Sequence, residues 1–305
     1  MTSELAGRLG KFGIWRSVTQ STPELAAALE RLGYGALWLG GSPDGDLAFA
    51  DELLSATTTL NVGTSIVNMW KDDAATVARS YARVQSKHPD RFVLGIGAGH
   101  PEATQQYASP YDTLATYVDQ LVAGGVPAHR IVLAALGQRV LRLAASHTGG
   151  AIPYLVPAEH TRMAREILGP DRLLAPEQKA VVDTDATRAR ALGRKRVTNP
   201  YLHLVNYTSN LRRLGFTDED LAVTGSAGAT STGATSTDAT STGGGSDRLI
   251  DALVAHGSPD QVAAQLTRHL EQGADHVCIQ LLTEADADPL PGYTELAGAL
   301  GLNPG

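Results

Sequence analysis

The sequence predicts an α/β fold of the (β/α)8-barrel type, and three observations carry the prediction. Strand-like and helix-like runs alternate from one end of the chain to the other. The strand-like runs are apolar at nearly every position, as strands covered on both faces must be. The length, 305 residues, suits one such barrel with an insertion. An open doubly wound sheet is the runner-up on the same pattern.

The elements follow in order. Residues 11–16 (KFGIWR) read as the first strand. Ser21-Thr22-Pro23-Glu24 is a helix start, with hydroxyl caps, a first-turn proline and a glutamate three positions after Ser21. Leu25, Leu29 and Leu32 continue at helical spacing and Gly33 ends the segment. Residues 36–39 form the second strand, closing in Gly40-Gly41-Ser42-Pro43, and 47–58 the next helix. Residues 61–67 (NVGTSIV) are the third strand, and Asp72 caps a helix running to about Gln85. Residues 91–97 are the fourth strand, which runs out into Ala98-Gly99-His100. A helix over 111–122 leads to a fifth strand at 130–135, and Gly137-Gln138-Arg139 opens the helix after it. The sixth strand is 152–156, with its helix at 159–168, and the seventh is 178–182. Residues 187–196 and 201–214 look helical. Ser258-Pro259-Asp260-Gln261 starts another capped helix, carrying Val262, Leu266 and Leu270 on one face, and 276–282 is the eighth strand.

The whole chain, 1–305, reads as a single domain, with its main insertion between the seventh strand and the last helices. Inside it, residues 224–246 are low in complexity, with Ala-Thr-Ser-Thr recurring from Ala229, Ala234 and Ala239. The stretch has no large apolar residue, so burial cannot offset chain entropy, and it is expected to be a disordered surface loop.

Composition narrows the function. The net charge of −7 argues against non-specific nucleic-acid binding. The single cysteine, Cys278, lies in an apolar run, so disulfides play no part and a reducing cytoplasm fits. The N-terminal residues lack the basic and apolar regions of a signal peptide, and no apolar run is long enough for a membrane span. No Gly-x-Ser-x-Gly, His-Glu-x-x-His or Gly-Lys-Ser/Thr motif occurs, and the nine histidines have no metal-ligand spacing, so no metal is expected. The glycines at 95, 97 and 99 are not a dinucleotide fingerprint: its third glycine would fall at position 100, which is His100, and the motif belongs to a first βα unit. Gly95 reads as relief of crowding. Gly97 and Gly99 fall at the C-terminal strand end, where barrel enzymes build their sites.

Three stretches carry a family resemblance: 62–67 (VGTSIV), 91–100 (RFVLGIGAGH) and 134–139 (AALGQR). They resemble the corresponding strands of the luciferase-like monooxygenase superfamily. Residues 206–216 (NYTSNLRRLGF) and 273–280 (GADHVCIQ) resemble its actinobacterial branch using the deazaflavin coenzyme F420. The resemblance implies an oxidoreductase with a cofactor across the C-terminal strand ends, a small-molecule substrate and commonly a homodimer. It implies a non-proline cis peptide at Ser65-Ile66 behind the central ring, with Gly97, Ala98, Gly99 and Ala135 around the cofactor. The backbone of Gly137 and Gln138 at a helix start would meet its phosphate, and Arg139 either joins them or is simply solvated.

His100 is the candidate catalytic acid or base, since an ordinary imidazole titrates near neutrality; a hydrogen bond to cofactor or backbone is its alternative role. Glu102 is the fallback base. Trp15, Gly41, Asn68, Trp70 and Gln280 are expected to line the substrate pocket, whereas Trp38 reads as core. The related sugar-phosphate dehydrogenases carry a histidine near the end of the second strand, where Gly40, Gly41 and Ser42 stand here. That departure removes a proton-transfer group and is expected to open space. Two rivals to the F420 enzyme stand beside it: an FMN-dependent monooxygenase of the same fold, and a non-catalytic deazaflavin-binding protein.

Overall fold

The computed structural model describes residues 4–99, 109–223, 244–285 and 287–302. Its strands are β1 (Phe12–Ser17), β2 (Ala36–Gly40), β3 (Asn61–Thr64), β4 (Val67–Asn68), β5 (Phe92–Gly97), β6 (Ile131–Leu133), β7 (Gly150–Ala151), β8 (Leu173–Leu174), β9 (Glu177–Val182), β10 (Val254–Gly257) and β11 (Val277–Leu281). Every pairing between them is parallel, in the order β10-β9-β11-β1-β2-β3-β5-β6-β7-β8, with β4 beside β5.

The ring closes through residues 173–182, where β8 and β9 are two parts of one extended run. On one side Ala175 N–H donates to Ala151 O (3.0 Å) and Glu177 N–H to Pro153 O (2.8 Å). On the other, Asp275 N–H donates to Leu174 O and Cys278 N–H to Pro176 O, both at 2.9 Å. The eight-stranded barrel expected from sequence is therefore present, and β10 is an extra strand paired to the outer half of β9.

Helices cover the barrel: α1 (Glu4–Leu9), α2 (Pro23–Arg31), α3 (Ala48–Ser55), α4 (Ala74–Lys87), α5 (Pro110–Ala123), α6 (Gln138–His147), α7 (Ala158–Leu168), α8 (Ala186–Thr198), α9 (Val205–Arg213), α10 (Asp218–Leu221), α11 (Asp247–Leu253), α12 (Pro259–Glu271) and α13 (Leu290–Ala299). Their starts follow the capping chemistry with small shifts. Thr22 rather than Ser21 caps α2, through Leu25 N–H, and Asp73 rather than Asp72 caps α4, through Thr76 N–H. Ser258 and Gln261 form the capping box of α12. The helix expected over 201–214 is split into a 3-10 turn at Tyr201–His203 and α9.

Two apolar layers result. Outward-facing strand residues such as Ile14, Leu37, Leu39, Val62, Leu94, Ile96, Leu133 and Ile279 pack against the helices. Inside the barrel, Trp38, Val93, Val132, Ile152, Leu173, Ala175 and Cys278 form a second cluster, which Leu5, Ala6 and Leu9 of α1 join. Trp38 is fully buried there, its indole N–H bonded to His276 Nε2 at 3.0 Å, as core rather than site. Of the stretch 224–246, residues 224–243 lie outside the described residues. The last three residues correct the loop expectation: Gly244 bridges to Val223 and accepts from Thr198 Oγ1, and Ser246 caps α11. No helix among the described residues is long and apolar enough to cross a membrane.

Candidate active site

Strand side chains alternate in direction, so the inner cluster also identifies the layer above it. Two residues beyond Gly13, Trp38, Gly63, Val132, Ile152 and Cys278 stand Trp15, Gly40, Ser65, Ala134, Tyr154 and Gln280, with Gly95 and Gly97 above Val93, and Glu177 and Lys179 above Ala175. This upper layer closes the barrel at the C-terminal strand ends. It is lopsided. From β2 to β6 it carries Gly40, Ser65, Gly97 and Ala134, all small. From Tyr154 round to β1 it carries Tyr154, Lys179, Gln280 and Trp15, all large.

The small half contains the residues expected to meet a cofactor. The Ser65–Ile66 peptide is cis. Gly97 is buried, and a Cβ on it would lie 3.0 Å from Ala134 Cβ and 3.1 Å from Ile66 Cγ1, so glycine lets these two side chains close in over the strand. Gly99 has φ of +61° and faces Asn68, whose Oδ1 accepts from Trp70 N–H at 3.0 Å. Ser65, Ile66, Asn68, Ala98 and Gly99 are all partly accessible, whereas Ala135 is buried. Gly95 belongs to the barrel wall: its Cβ would fall 1.9 Å from Thr64 O, and the two residues exchange bonds through Thr64 Oγ1 at 2.8 Å. Trp70 packs against the outer core rather than in the inner layer.

Next to this half, Gly137 begins α6 with no side-chain cap and, among the described residues, nothing lies within 4 Å of its Cβ position. The first N–H groups of α6 are therefore available to an anion. Arg139 lies with its guanidinium 4.2 Å from the Tyr111 ring centroid. His160, fully buried on α7, bonds through Nε2 to Leu136 O at 2.9 Å. Burial pushes its pKa down, so it is neutral and donates to that carbonyl, fixing the turn that leads into Gly137. Sequence reading missed this residue.

The large half is an aromatic wall around a buried ion pair. Trp15 donates from Nε1 to Ser65 Oγ at 3.0 Å and sits 5.3 Å, centroid to centroid, from Tyr154. Its ring lies where a side chain on Gly40 would be, 1.8 Å from the ideal Cβ. The expected opening at the end of the second strand is thus filled, at Gly40, by Trp15. Gly41, with φ of +84°, is exposed beside Ser17 Oγ.

Lys179 is 0% exposed and Glu177 3%, with Nζ 3.0 Å from Oε1. Leu155 N–H donates to Glu177 Oε2 at 3.0 Å, and the ammonium lies 4.1 Å from the Tyr154 ring centroid and 5.4 Å from that of Tyr201. Burial pushes the Glu177 carboxyl up and the Lys179 ammonium down, each opposed by the partner's charge. Tyr201 donates to Tyr154 at 2.9 Å and Tyr154 to Gln280 Oε1 at 2.9 Å. Gln280, one of the residues expected at the pocket, thus stands in the same inward-facing layer as Trp15. Glu177, Lys179, Tyr154, Tyr201 and Tyr207 were not anticipated, although the period-two spacing of Ala175, Glu177 and Lys179 is the signal that places them inward. His100 and Glu102 lie outside the described residues.

Comparison with known proteins agrees with this fold. Residues 11–123 match the family model of luciferase-like monooxygenases. No curated protein sequence matches the chain. Among solved structures, an F420-dependent secondary alcohol dehydrogenase in complex with an F420-acetone adduct superposes with a TM-score of 0.68 at 14% identity, covering 95% of this chain and 99% of that one. The coenzyme F420-dependent tetrahydromethanopterin reductase from Methanopyrus kandleri gives 0.65 at 12% identity, covering 95% and 98%. The oxygenating constituent of 3,6-diketocamphane monooxygenase from Pseudomonas putida, a type II Baeyer-Villiger enzyme in complex with FMN, gives 0.65 at 12% identity, covering 97% and 98%. The chain has the fold of the luciferase-like monooxygenases, and its residues 11–123 match their family model.

Proposed function

We propose that the chain is an oxidoreductase dependent on coenzyme F420, which moves a hydride between the deazaflavin and a small organic substrate. The observation that carries the reading is the small half of the barrel mouth. It lies between the cis Ser65–Ile66 turn and the uncapped start of α6, and its side chains, Gly40, Ser65, Gly97 and Ala134, are all small. A flat ring fits such a surface, and a phosphate fits such a helix start.

When bound, the deazaflavin gives or takes the hydride. The chain's own residues do the rest. Ser65 and Ile66 back the ring, Gly97, Ala98 and Gly99 let it approach the strand, and Ala135 closes the adjoining wall. Gly137 and Gln138 offer N–H groups to the anionic tail, in a turn held by His160. Arg139 stacks on Tyr111, which leaves its N–H edge for the same anion. His100 is the proposed proton donor or acceptor at the substrate.

The choice of F420 over FMN rests on the resemblance of residues 206–216 and 273–280 to the F420 branch. The structural neighbours include proteins bound to each cofactor, so they favour neither. Titration of the purified protein with F420 and with FMN, followed by fluorescence and by oxygen uptake, tests the reading. Saturable F420 binding without oxygen consumption is expected. FMN binding with oxygen consumption would replace this reading by the monooxygenase, and F420 binding without turnover on any substrate would leave a carrier protein.

A further inference from the structure

We infer that the large half of the mouth accepts a flat, uncharged carbonyl compound, an aromatic or conjugated ketone or aldehyde. The inference rests on the proposal that the barrel mouth is the reaction site, and it adds the substrate class.

Four rings run together along this wall. Trp15 and Tyr154 are 5.3 Å apart, Tyr154 and Tyr201 5.3 Å, Tyr201 and Tyr207 5.0 Å, and Tyr154 and Tyr207 6.4 Å. Trp15, Tyr154 and Tyr201 are partly accessible, so ring surface reaches the mouth. Aromatic surface of this kind gains most from another flat ring.

The charges beneath it cannot hold an anion. Lys179 and Glu177 are buried, bonded to each other and together neutral, so neither offers net charge to the mouth. The wall's other polar groups are engaged with one another: Trp15 Nε1 with Ser65, Tyr201 with Tyr154, and Tyr154 with Gln280. A sugar or phosphate would have to break these bonds, whereas a ring would not.

One donor stands apart. Tyr201 gives its proton to Tyr154, so Tyr154 gives its own to Gln280 Oε1. This orients the amide and leaves Gln280 Nε2 with no hydrogen bond among the described residues. Gln280 is 7% exposed and faces inward in the same layer as Trp15. An amide donor at the edge of an aromatic wall matches a carbonyl oxygen on a flat ligand, which fixes one end of the substrate and leaves its π-face to the wall.

The test uses three probes: acetophenone, cyclohexyl methyl ketone, which keeps the carbonyl and loses the flat ring, and phenyl phosphate, which keeps the ring and adds charge. Binding to the wild-type protein is measured by saturation-transfer NMR, without cofactor and again with F420. Acetophenone is expected to bind about tenfold more tightly than either comparator, in line with the worth of one aromatic contact. Tyr201→Ala and Gln280→Leu, both checked by thermal melting, should each weaken acetophenone several-fold. Phenyl phosphate binding as tightly as acetophenone, no acetophenone binding in either condition, or unchanged binding in both variants would overturn the inference. The wild-type ranking needs no variant to fold. Failure of F420 to bind would count against the cofactor reading alone, since the probes are ranked without it as well.

Discussion

Lys179→Met isolates the buried ion pair from everything around it. Methionine nearly matches the lysine stem in volume and keeps contact with the rings of Tyr154 and Tyr201, so the main loss is the charge that faces Glu177 at 3.0 Å. Removing one partner of a buried pair leaves the other charge uncompensated, at a cost of about 3–5 kcal/mol. Unfolding entropy of about 2.1 cal/mol/K per residue gives roughly 0.64 kcal/mol/K for a chain of 305 residues, so Tm should fall by about 5–8 °C. The deficit should depend on pH with a definite sign. Burial raises the Glu177 carboxyl above its ordinary 4.5 already in the intact pair, and loss of the lysine raises it further. The folded variant then holds a proton that the unfolded chain releases, so stability is kept below the unfolded pKa and lost as pH rises through the folded one. The melting deficit should therefore be larger near pH 8 than near pH 5. Adding Glu177→Leu removes the orphaned charge and should return most of the lost stability, by the usual behaviour of buried pairs replaced with apolar residues. Calorimetric melts of the three variants at the two pH values read all of this. Equal Tm for wild type and Lys179→Met, or a double variant no better than the single, would refute the picture of a compensated pair inside the barrel.

Further outcomes follow from other contacts. Gly40→Ala places a Cβ 1.8 Å from the Trp15 ring, so the indole must move and lose its bond to Ser65. Overpacking of this kind costs about 1–3 kcal/mol, and a changed near-UV dichroism of the tryptophan should accompany it. At Gly95 the added methyl meets backbone, 1.9 Å from Thr64 O, so Gly95→Ala should destabilise more than Gly40→Ala in parallel melts. The Glu30 carboxyl is pushed up by burial, but bonds from Thr59, Leu60 and Thr58 outweigh this and hold it at about 2. Its contribution is present above the ordinary 4.5 and lost as pH falls toward 2, so Glu30→Gln should lower stability at neutral pH by about 1–3 kcal/mol and flatten the acid limb of the Tm profile.

The barrel was legible because its strands are apolar runs closed by capped helices, and these are local signals. What escaped was set by closure of the ring. Among the described residues β10 (Val254–Gly257) pairs only with β9, and a four-residue strand among helices has no periodicity to betray it. α1 is amphipathic over so few residues that its role as the floor of the barrel, with Leu5, Ala6 and Leu9 under Trp38, emerges only when the strands converge. At the site, glycines and a helix start were readable as bare backbone. Glu177 and Lys179 were not, because charged residues in a strand usually mark a solvated face, and only their mutual compensation allows both to point inward. Tyr201 and Tyr207 come from the insertion, whose docking over strands far away in sequence leaves no local trace. The glycines at the end of the second strand suggested empty space, yet the space belongs to Trp15, a residue of the neighbouring strand.

The central claim is that the small half of the mouth seats the deazaflavin ring. A fluorescence titration of F420 into wild type and Gly97→Val tests it most directly, since valine would collide with Ile66 and Ala134 and displace them into the proposed seat of the ring. Saturable binding to the wild type and its loss in a Gly97→Val protein that still melts cooperatively is the predicted result. No saturable binding to the wild type, or equal binding to both, would contradict the account.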